Sequence, residues 1–516
     1  MTRPRLVVQL DPPHNTRGGD WFYRMFAPGR AMSALDGVYV VNCDRVHREA
    51  ARLVRAADVL VLNSVCDADL FPLLAERAAR GAVTVFEVSD DFAAIQPWNP
   101  IFHFFQSPSN VRLYKLLARA STAIQCTVPE LARLYGHLGR DRRVFINHLL
   151  EVPPPPRGPA RDPDSFVVGW GGSSGHLEDI GGIAPALIRW VLETPRVTLS
   201  LMCSDSIWDL FASLPAERKR RTKTGSIDDY YRFVSTLDVG LAPLADTAFN
   251  RSRSDVKFVE YAAYGAVAVL QNLLPYQGAA VDGETACFFD RPEDLVARLA
   301  EFARSPDDCA RLRATAYAQV SRDRRQSDHA AARVEYYASL NRVTDAPADA
   351  PARLFEELKS WRGAEVHGRH AVLGHTRVEQ CLHDALVLAQ HTQRHTEARS
   401  LLAEAARDCP ALDLPHLYAG SLFADEGELL AALDRNPRSV TARLALGHVE
   451  ASRGAMASAL GHFIRAIELA PGYDEPYRLA AATAERLGAT ADARGLVAVA
   501  DHLAAEIERG ATARRG

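Results

Sequence analysis

No two cysteines of this 516-residue chain form a Cys-x-x-Cys pair. The eight cysteines, at 43, 66, 126, 203, 287, 309, 381 and 409, are scattered, which argues against zinc-binding and dithiol redox motifs. The apolar surroundings of Cys126 and Cys203 suit core thiols in a reducing cytoplasm. An apolar run long enough to span a bilayer is also lacking, and the apolar start, Leu6–Leu10, is too short for a signal peptide. A cytoplasmic chain with no transmembrane segment is therefore expected. Charge of one sign is missing too: 60 Lys and Arg against 64 Asp and Glu leave −4, which gives no general attraction to nucleic acid. The histidines between His367 and His395 follow no metal-ligand spacing, and neither Asp90–Asp91 nor Asp228–Asp229 reads as a metal site.

What is present is ordinary globular composition, 47% hydrophobic and 24% charged, over a length that allows two to four domains. Short apolar runs at Leu6–Leu10, Val38–Asn42, Val59–Leu62, Val83–Val88 and Thr122–Thr127 alternate with helical patterns such as His47–Ala56 and Leu70–Arg80. Strand and helix in alternation imply a parallel sheet with crossover helices, a Rossmann-like domain over 1–150. Six prolines in residues 151–163 exclude helix and central strand and predict a linker. The alternation restarts at Phe166–Trp170 and continues through Val197–Cys203, Val239–Leu241, Val267–Leu270 and Ala286–Phe289, a second Rossmann-like domain over 164–343. Two such domains leave a cleft at the carboxyl ends of their strands. Residues 344–351 predict another linker, after which strand signals disappear.

Residues 250–265 carry the strongest chemical signal. A loop with Arg251 and Arg253 enters a short helix bearing Lys257 and Glu260, closed by Gly265. Cations at a helix start oppose its partial positive charge unless an anion lies among them, and a diphosphate answers that need. Glu260, one turn on, can accept from sugar hydroxyls. The blander alternative is a solvated basic face. A second candidate is the loop Gly169-Trp-Gly-Gly-Ser-Ser-Gly-His176, where Gly171, Gly172 and Ser173 permit close approach of a phosphate and His176 can reach a phosphate or hydroxyl. Ser173 or Ser174 is expected to cap the following helix. A glycine-rich turn also suits dinucleotides, but the acidic residue such a fold needs, Asp205, comes about 30 residues later instead of roughly 20.

Residues 353–510 are periodic. Leu446, Gly447, Gly454, Ala459, Phe463, Ala466 and Pro471 fall at tetratricopeptide-repeat spacing, and a shift of 34 residues finds Ala480, Ala481, Gly488, Ala493, Val497 and Ala500. Pro410 closes an earlier unit, and 413–438 hold a shortened one. Four stacked helix pairs, a protein-binding solenoid, are expected, with a plain helical bundle as the alternative.

Three segments of the second domain resemble GT-B glycosyltransferases of family 4: Leu237–Leu244, Asp255–Val269 and Val281–Phe289. The resemblance covers roughly residues 5–340. It implies two Rossmann-like domains, a nucleotide-diphosphate sugar as donor, no metal or other cofactor, and retention of anomeric configuration. It places Glu260 on the ribose and Lys257, Arg251 and Arg253 at the diphosphate, with Lys257 and Arg251 as catalytic candidates. The family's glycine-rich loop after the first strand maps to Gly18 and Gly19 within Thr16–Asp20. Asp90 and Asp91 end the fourth strand and so point into the cleft, where helix capping or a surface role is the first expectation and a base or acceptor contact the alternative. Two departures stand out: the first Glu of the family's Glu-x7-Glu is Ser252 here, and the Arg and Lys expected after the first strand of the second domain are absent. The resulting reading is a glycosyltransferase, bacterial by its Ala- and Arg-rich composition, whose repeats bring in the acceptor, most simply a protein, although a saccharide or lipid-linked acceptor suits the catalytic part equally well. The alternative is an inactive scaffold that binds partner proteins.

Overall fold

The computed structural model describes residues 6–12, 18–155, 165–340 and 349–512. Thr16, most of the proline-rich segment and residues 341–348 lie outside that set.

The first sheet is built from the chain's early apolar runs. It comprises β1 (Leu6–Asp11), β2 (Tyr39–Asp44), β3 (Val59–Asn63), β4 (Val83–Val88), β5 (Ala123–Cys126) and β6 (Asp141–Val144). The second comprises β7 (Phe166–Gly171), β8 (Val197–Met202), β9 (Lys219–Thr222), β10 (Val239–Ala242), β11 (Val267–Gln271) and β12 (Cys287–Phe289), in the order β12-β11-β10-β7-β8-β9 and parallel throughout. Central strands are buried on both faces, which is why they read as unbroken Val, Ile and Leu runs.

Four strands arise where the sequence predicts none: β6, β9 and the two strands of a hairpin. Residues 364–373 form a hairpin of β13 (Ala364–His367) and β14 (His370–Leu373), and β14 joins β2 in parallel, so the first sheet runs β13-β14-β2-β1-β3-β4-β5-β6. The run His370–Leu373 is only four residues, too short to stand out, but it is fully buried at the sheet edge. His370 packs there with its Nε2 2.7 Å from Asn42 Oδ1.

The chain crosses between the sheets twice. Leu149 bridges to Arg325, with backbone bonds from Leu149 N to Arg324 O and from Gln326 N to Leu149 O. The helix Gln326–Leu340 then returns to the first sheet, burying Ala330, Val334 and Tyr337 with Val7, Val40, Val61 and Val85.

Beyond the hairpin, helices follow in four consecutive pairs: Arg377–His391 with His395–Asp408, Leu414–Phe423 with Glu426–Arg435, Val440–Ser452 with Met456–Leu469, and Asp474–Arg486 with Thr490–Thr512. Small residues stand where partners touch: a Cβ on Gly447 would meet the Phe463 ring at 2.5 Å, and one on Gly420 would meet Leu429 at 2.5 Å. This array lies against the first half. Buried Asp69 accepts from Thr441 N (2.8 Å) and Ser439 Oγ (3.0 Å). Arg112 pairs with buried Asp474 at 2.9 Å, and Tyr473 stacks on Phe71. Among the described residues no helix is long and apolar enough to cross a membrane.

Candidate functional site

The two sheets face each other across a cleft of about 830 Å³, which the carboxyl ends of β1, β4, β7 and β8 approach. From the second half comes the helix Val256–Tyr264, nine residues ended by Gly265 at φ +85°, a left-handed stop that a side chain resists. It sits close on its sheet because β10 offers Gly240, where a Cβ would lie 2.5 Å from the Tyr261 ring. The Tyr261 hydroxyl donates to Leu241 O at 2.7 Å.

That helix presents Lys257 and Glu260 to the cleft. Lys257 Nζ donates to the Tyr230 hydroxyl at 2.7 Å and lies 3.6 Å from Glu260 Oε2. Burial pulls its pKa below the ordinary lysine value, against the raising effect of Glu260. Glu260 is 3% exposed. Its Oε1 accepts from the Tyr23 hydroxyl at 2.9 Å, while Oε2 has no hydrogen-bond partner. A buried carboxylate oxygen left without a donor is costly and marks a place for a ligand hydroxyl. Arg253 lines the same wall, its guanidinium 5.4 Å from the Phe249 ring centroid.

The glycine loop forms the facing wall. A Cβ on Gly171 would meet the Tyr230 ring at 2.9 Å, so the glycine serves close packing as well as access. The Gly172 amide donates to Met202 O at 3.0 Å and is not open to a phosphate. Ser173 precedes the turn but its side chain makes no capping bond, contrary to expectation. His176 Nδ1 lies 2.7 Å from Asp179 Oδ2. Asp179 is itself held by Ala245 N (2.8 Å) and Asn250 Nδ2 (2.7 Å), which fixes the ring. Burial, with Arg253 adding, brings the His176 pKa down to about 4. At neutral pH the ring is uncharged: Nδ1 donates to Asp179, and Nε2 is left as an acceptor, matched to a hydroxyl and not to a phosphate.

The first half contributes Gly18, Gly19, Asp20, Tyr23 and Asp90. Burial raises the Asp90 carboxyl to about 6, with Asp20 and Asp91 adding and Arg253 opposing. Asp91 instead accepts from the Tyr135 hydroxyl at 2.5 Å, which makes it structural.

Residues 186–339 match the family model described as glycosyl transferase-like. The structure of Anabaena HepE in complex with UDP-glucose is similar, at 12% identity, over 65% of this chain and 99% of that one, with a TM-score of 0.50. Sucrose-phosphate synthase from Thermosynechococcus elongatus aligns at 13% identity over 65% of this chain and 99% of its own, with a TM-score of 0.45. No curated protein matches the sequence.

The chain has the GT-B glycosyltransferase fold.

Within the GT-B cleft the structure gathers Gly18, Gly19, Gly171, Gly172, Ser173, His176, Arg253, Lys257 and Glu260. Arg251 is the exception. Thr247 caps a separate short helix, Ala248–Arg251, which turns the Arg251 side chain outward to fork onto exposed Asp246 at 2.5 and 2.8 Å. Ser252 is buried, and its hydroxyl donates to Phe249 O at 2.8 Å. Asp205 is exposed, paired with Arg221, and does not line the cleft. Tyr23, Tyr230 and Asp179 are the site residues that sequence reading missed. Tyr23 and Tyr230 meet partners 237 and 27 residues away, beyond any local pattern, whereas the His176–Asp179 pair is a three-residue spacing that the sequence did offer.

Proposed function

We propose that the chain transfers a sugar from a nucleotide-diphosphate sugar to an acceptor held on the first half. The observation that carries this is Glu260, a buried carboxylate whose Oε2 makes no hydrogen bond and has only the Lys257 ammonium 3.6 Å away, beside Arg253 in an interdomain cleft. The ribose donates to Glu260 Oε2. Lys257 and Arg253 take the diphosphate, and as the bond from anomeric carbon to phosphate oxygen breaks they hold the charge that builds on the leaving group. With cations supplied by the protein, no metal is required. Neutral His176 accepts from a hydroxyl of the donor sugar, a contact that stands in for the carboxylate missing at Ser252. Asp90 faces the acceptor side and receives the hydrogen bond of its hydroxyl. HepE, solved with UDP-glucose, makes a uridine donor the first to try.

Retention of configuration follows from the family resemblance. The helical array is read as tetratricopeptide repeats that present a protein acceptor. Incubating the full chain with uridine, guanosine and adenosine diphosphate sugars, with and without EDTA, tests the reading. Release of nucleoside diphosphate that is insensitive to EDTA and lost in Lys257→Ala supports it. Nucleotide binding with no turnover for any donor or acceptor supports the scaffold alternative instead, for which the loss of the family's first Glu at Ser252 is the favouring observation.

A further inference from the structure

A second cavity, of about 470 Å³, opens behind the two crossover segments, on the other side of the hinge from the donor cleft. Three of its lining side chains have the character of an unoccupied anion site. Arg333 is 1% exposed, yet its Nε and Nη1 have no hydrogen-bond partner. The Phe145 ring covers its charged carbon at 4.1 Å, satisfying one face of the guanidinium, while Tyr337 and Glu87 act on it electrostatically. His148 is buried with Nδ1 unpartnered, and stacks on His329 at 3.7 Å with the rings 15° from parallel. Arg143 stands exposed at the rim.

The carboxylates nearby are already engaged. Asp323, which also lines the cavity, is paired with Arg322 at 2.7 Å. Asp255 is forked by Arg324 at 2.6 and 2.7 Å. Glu87, behind Arg333, is bound by Arg24 and Gln125. Glu87 and the Tyr337 hydroxyl offset part of the Arg333 charge from within, but Nε and Nη1 still make no hydrogen bond, which is expensive in a buried guanidinium. An oxyanion removes that cost with charge-assisted bonds.

We propose that this hinge cavity binds a phosphate group, through Arg333 and Arg143 with His148 as a further donor. Donors contributed to one cavity by three separate residues suit a tetrahedral oxyanion, which can accept on several sides, better than a planar carboxylate. Ile146, Ala279 and Ala332 give an apolar wall against which the carbon skeleton of a phosphate ester rests. The site is placed to speak to the donor cleft. Arg324, on its floor, donates to Asn147 O at 3.1 and 2.9 Å and grips Asp255, the residue that begins the donor helix. An occupant at the hinge therefore changes nucleotide affinity, and nucleotide changes the occupant's affinity by the same factor.

Calorimetric titration of the full chain with inorganic phosphate and with glycerol 3-phosphate tests the site, and does not depend on the transferase reading. The donor cleft also attracts phosphate, so the titration is repeated in Lys257→Ala. Saturable binding that persists in Lys257→Ala and weakens at least about tenfold, roughly 1.4 kcal/mol, in Arg333→Met is the expected result. Arg143→Ala, on the exposed rim, gives the same direction without risk to the core. Tighter binding of the ester assigns the site to an esterified phosphate, and equal or tighter binding of inorganic phosphate assigns it to the free ion. Binding lost in Lys257→Ala but kept in Arg333→Met and Arg143→Ala, or no binding of either anion at millimolar concentration, overturns the proposal.

Discussion

Tyr23, from the first half, donates its hydroxyl hydrogen to Glu260 Oε1 of the donor helix at 2.9 Å, and the Tyr231 hydroxyl stands 2.7 Å from the same phenol oxygen. The carboxylate is thereby held from across the cleft, with one oxygen committed and the other, Oε2, left for a ligand. Burial lifts the Tyr23 pKa well above the ordinary phenol value, so the proton that makes this bond stays in place throughout the working pH range.

Removing that hydroxyl tests whether it positions the carboxylate. Tyr23→Phe should weaken nucleotide binding about fivefold, the equivalent of roughly 1 kcal/mol for one lost hydrogen bond. Titration calorimetry with a nucleoside diphosphate reads the change. Tighter binding in the variant would mean that Tyr23 competes with the ribose.

The two cations of the same segment should separate cleanly. Lys257→Ala is expected to lower kcat by about two orders of magnitude or more, the usual cost of deleting a group that stabilises developing charge. Arg251→Ala should leave turnover near the parent value, because its guanidinium faces solvent and is occupied by Asp246. Steady-state rates of the two variants side by side decide the point.

Asp90 gives a pH signature. Its folded pKa, about 6, is above its ordinary value of 3.8, so the folded state binds the proton more tightly than the unfolded state. The stability this provides is complete below the lower value and lost as pH rises through about 6. Asp90→Asn should therefore melt higher than the parent at pH 8, with the gap closing towards pH 4. If Asp90 also receives the acceptor hydroxyl, the parent should show a rise of kcat/KM through about pH 6 that is absent in this variant. His176, at about 4, titrates too low to produce that limb.

The contact between the helical array and the first half can be weakened at one residue. Asp69→Ala leaves the Thr441 amide and Ser439 hydroxyl without their acceptor in a buried interface, a loss of about 2 kcal/mol. A lower melting temperature and faster proteolytic cleavage within 440–512 are the expected readouts. Unchanged cleavage would show that Arg112–Asp474 and the Phe71–Tyr473 stack hold the array without it.

The fold was legible wherever burial imposed a continuous apolar run. Val83–Val88 was read from sequence with its exact span, and the Asp255–Gly265 helix with its glycine stop came through equally well. Two charged edge strands were not legible, although the apolar edge strand β12 was. β6 reads Asp-Arg-Arg-Val and β9 reads Lys-Arg-Arg-Thr, charged edges that discourage further pairing and so carry no hydrophobic signal. In the site, charge pattern located Arg253, Lys257 and Glu260, which share one short stretch. It misplaced Arg251 because the Thr247 cap starts a separate turn whose direction no spacing rule supplies. Tyr23 matters through Glu260, a partner that folding brings to it from 237 residues away.

The β13–β14 hairpin welds the start of the helical array to the edge of the first sheet by backbone bonds. Whatever the array grasps must then travel with that half. If the jaws breathe about the hinge at Leu149 and Arg325 to admit nucleotide, a cargo carried by the helices keeps constant distance and bearing to Asp90 and Tyr23, and only the Lys257 side swings away from it.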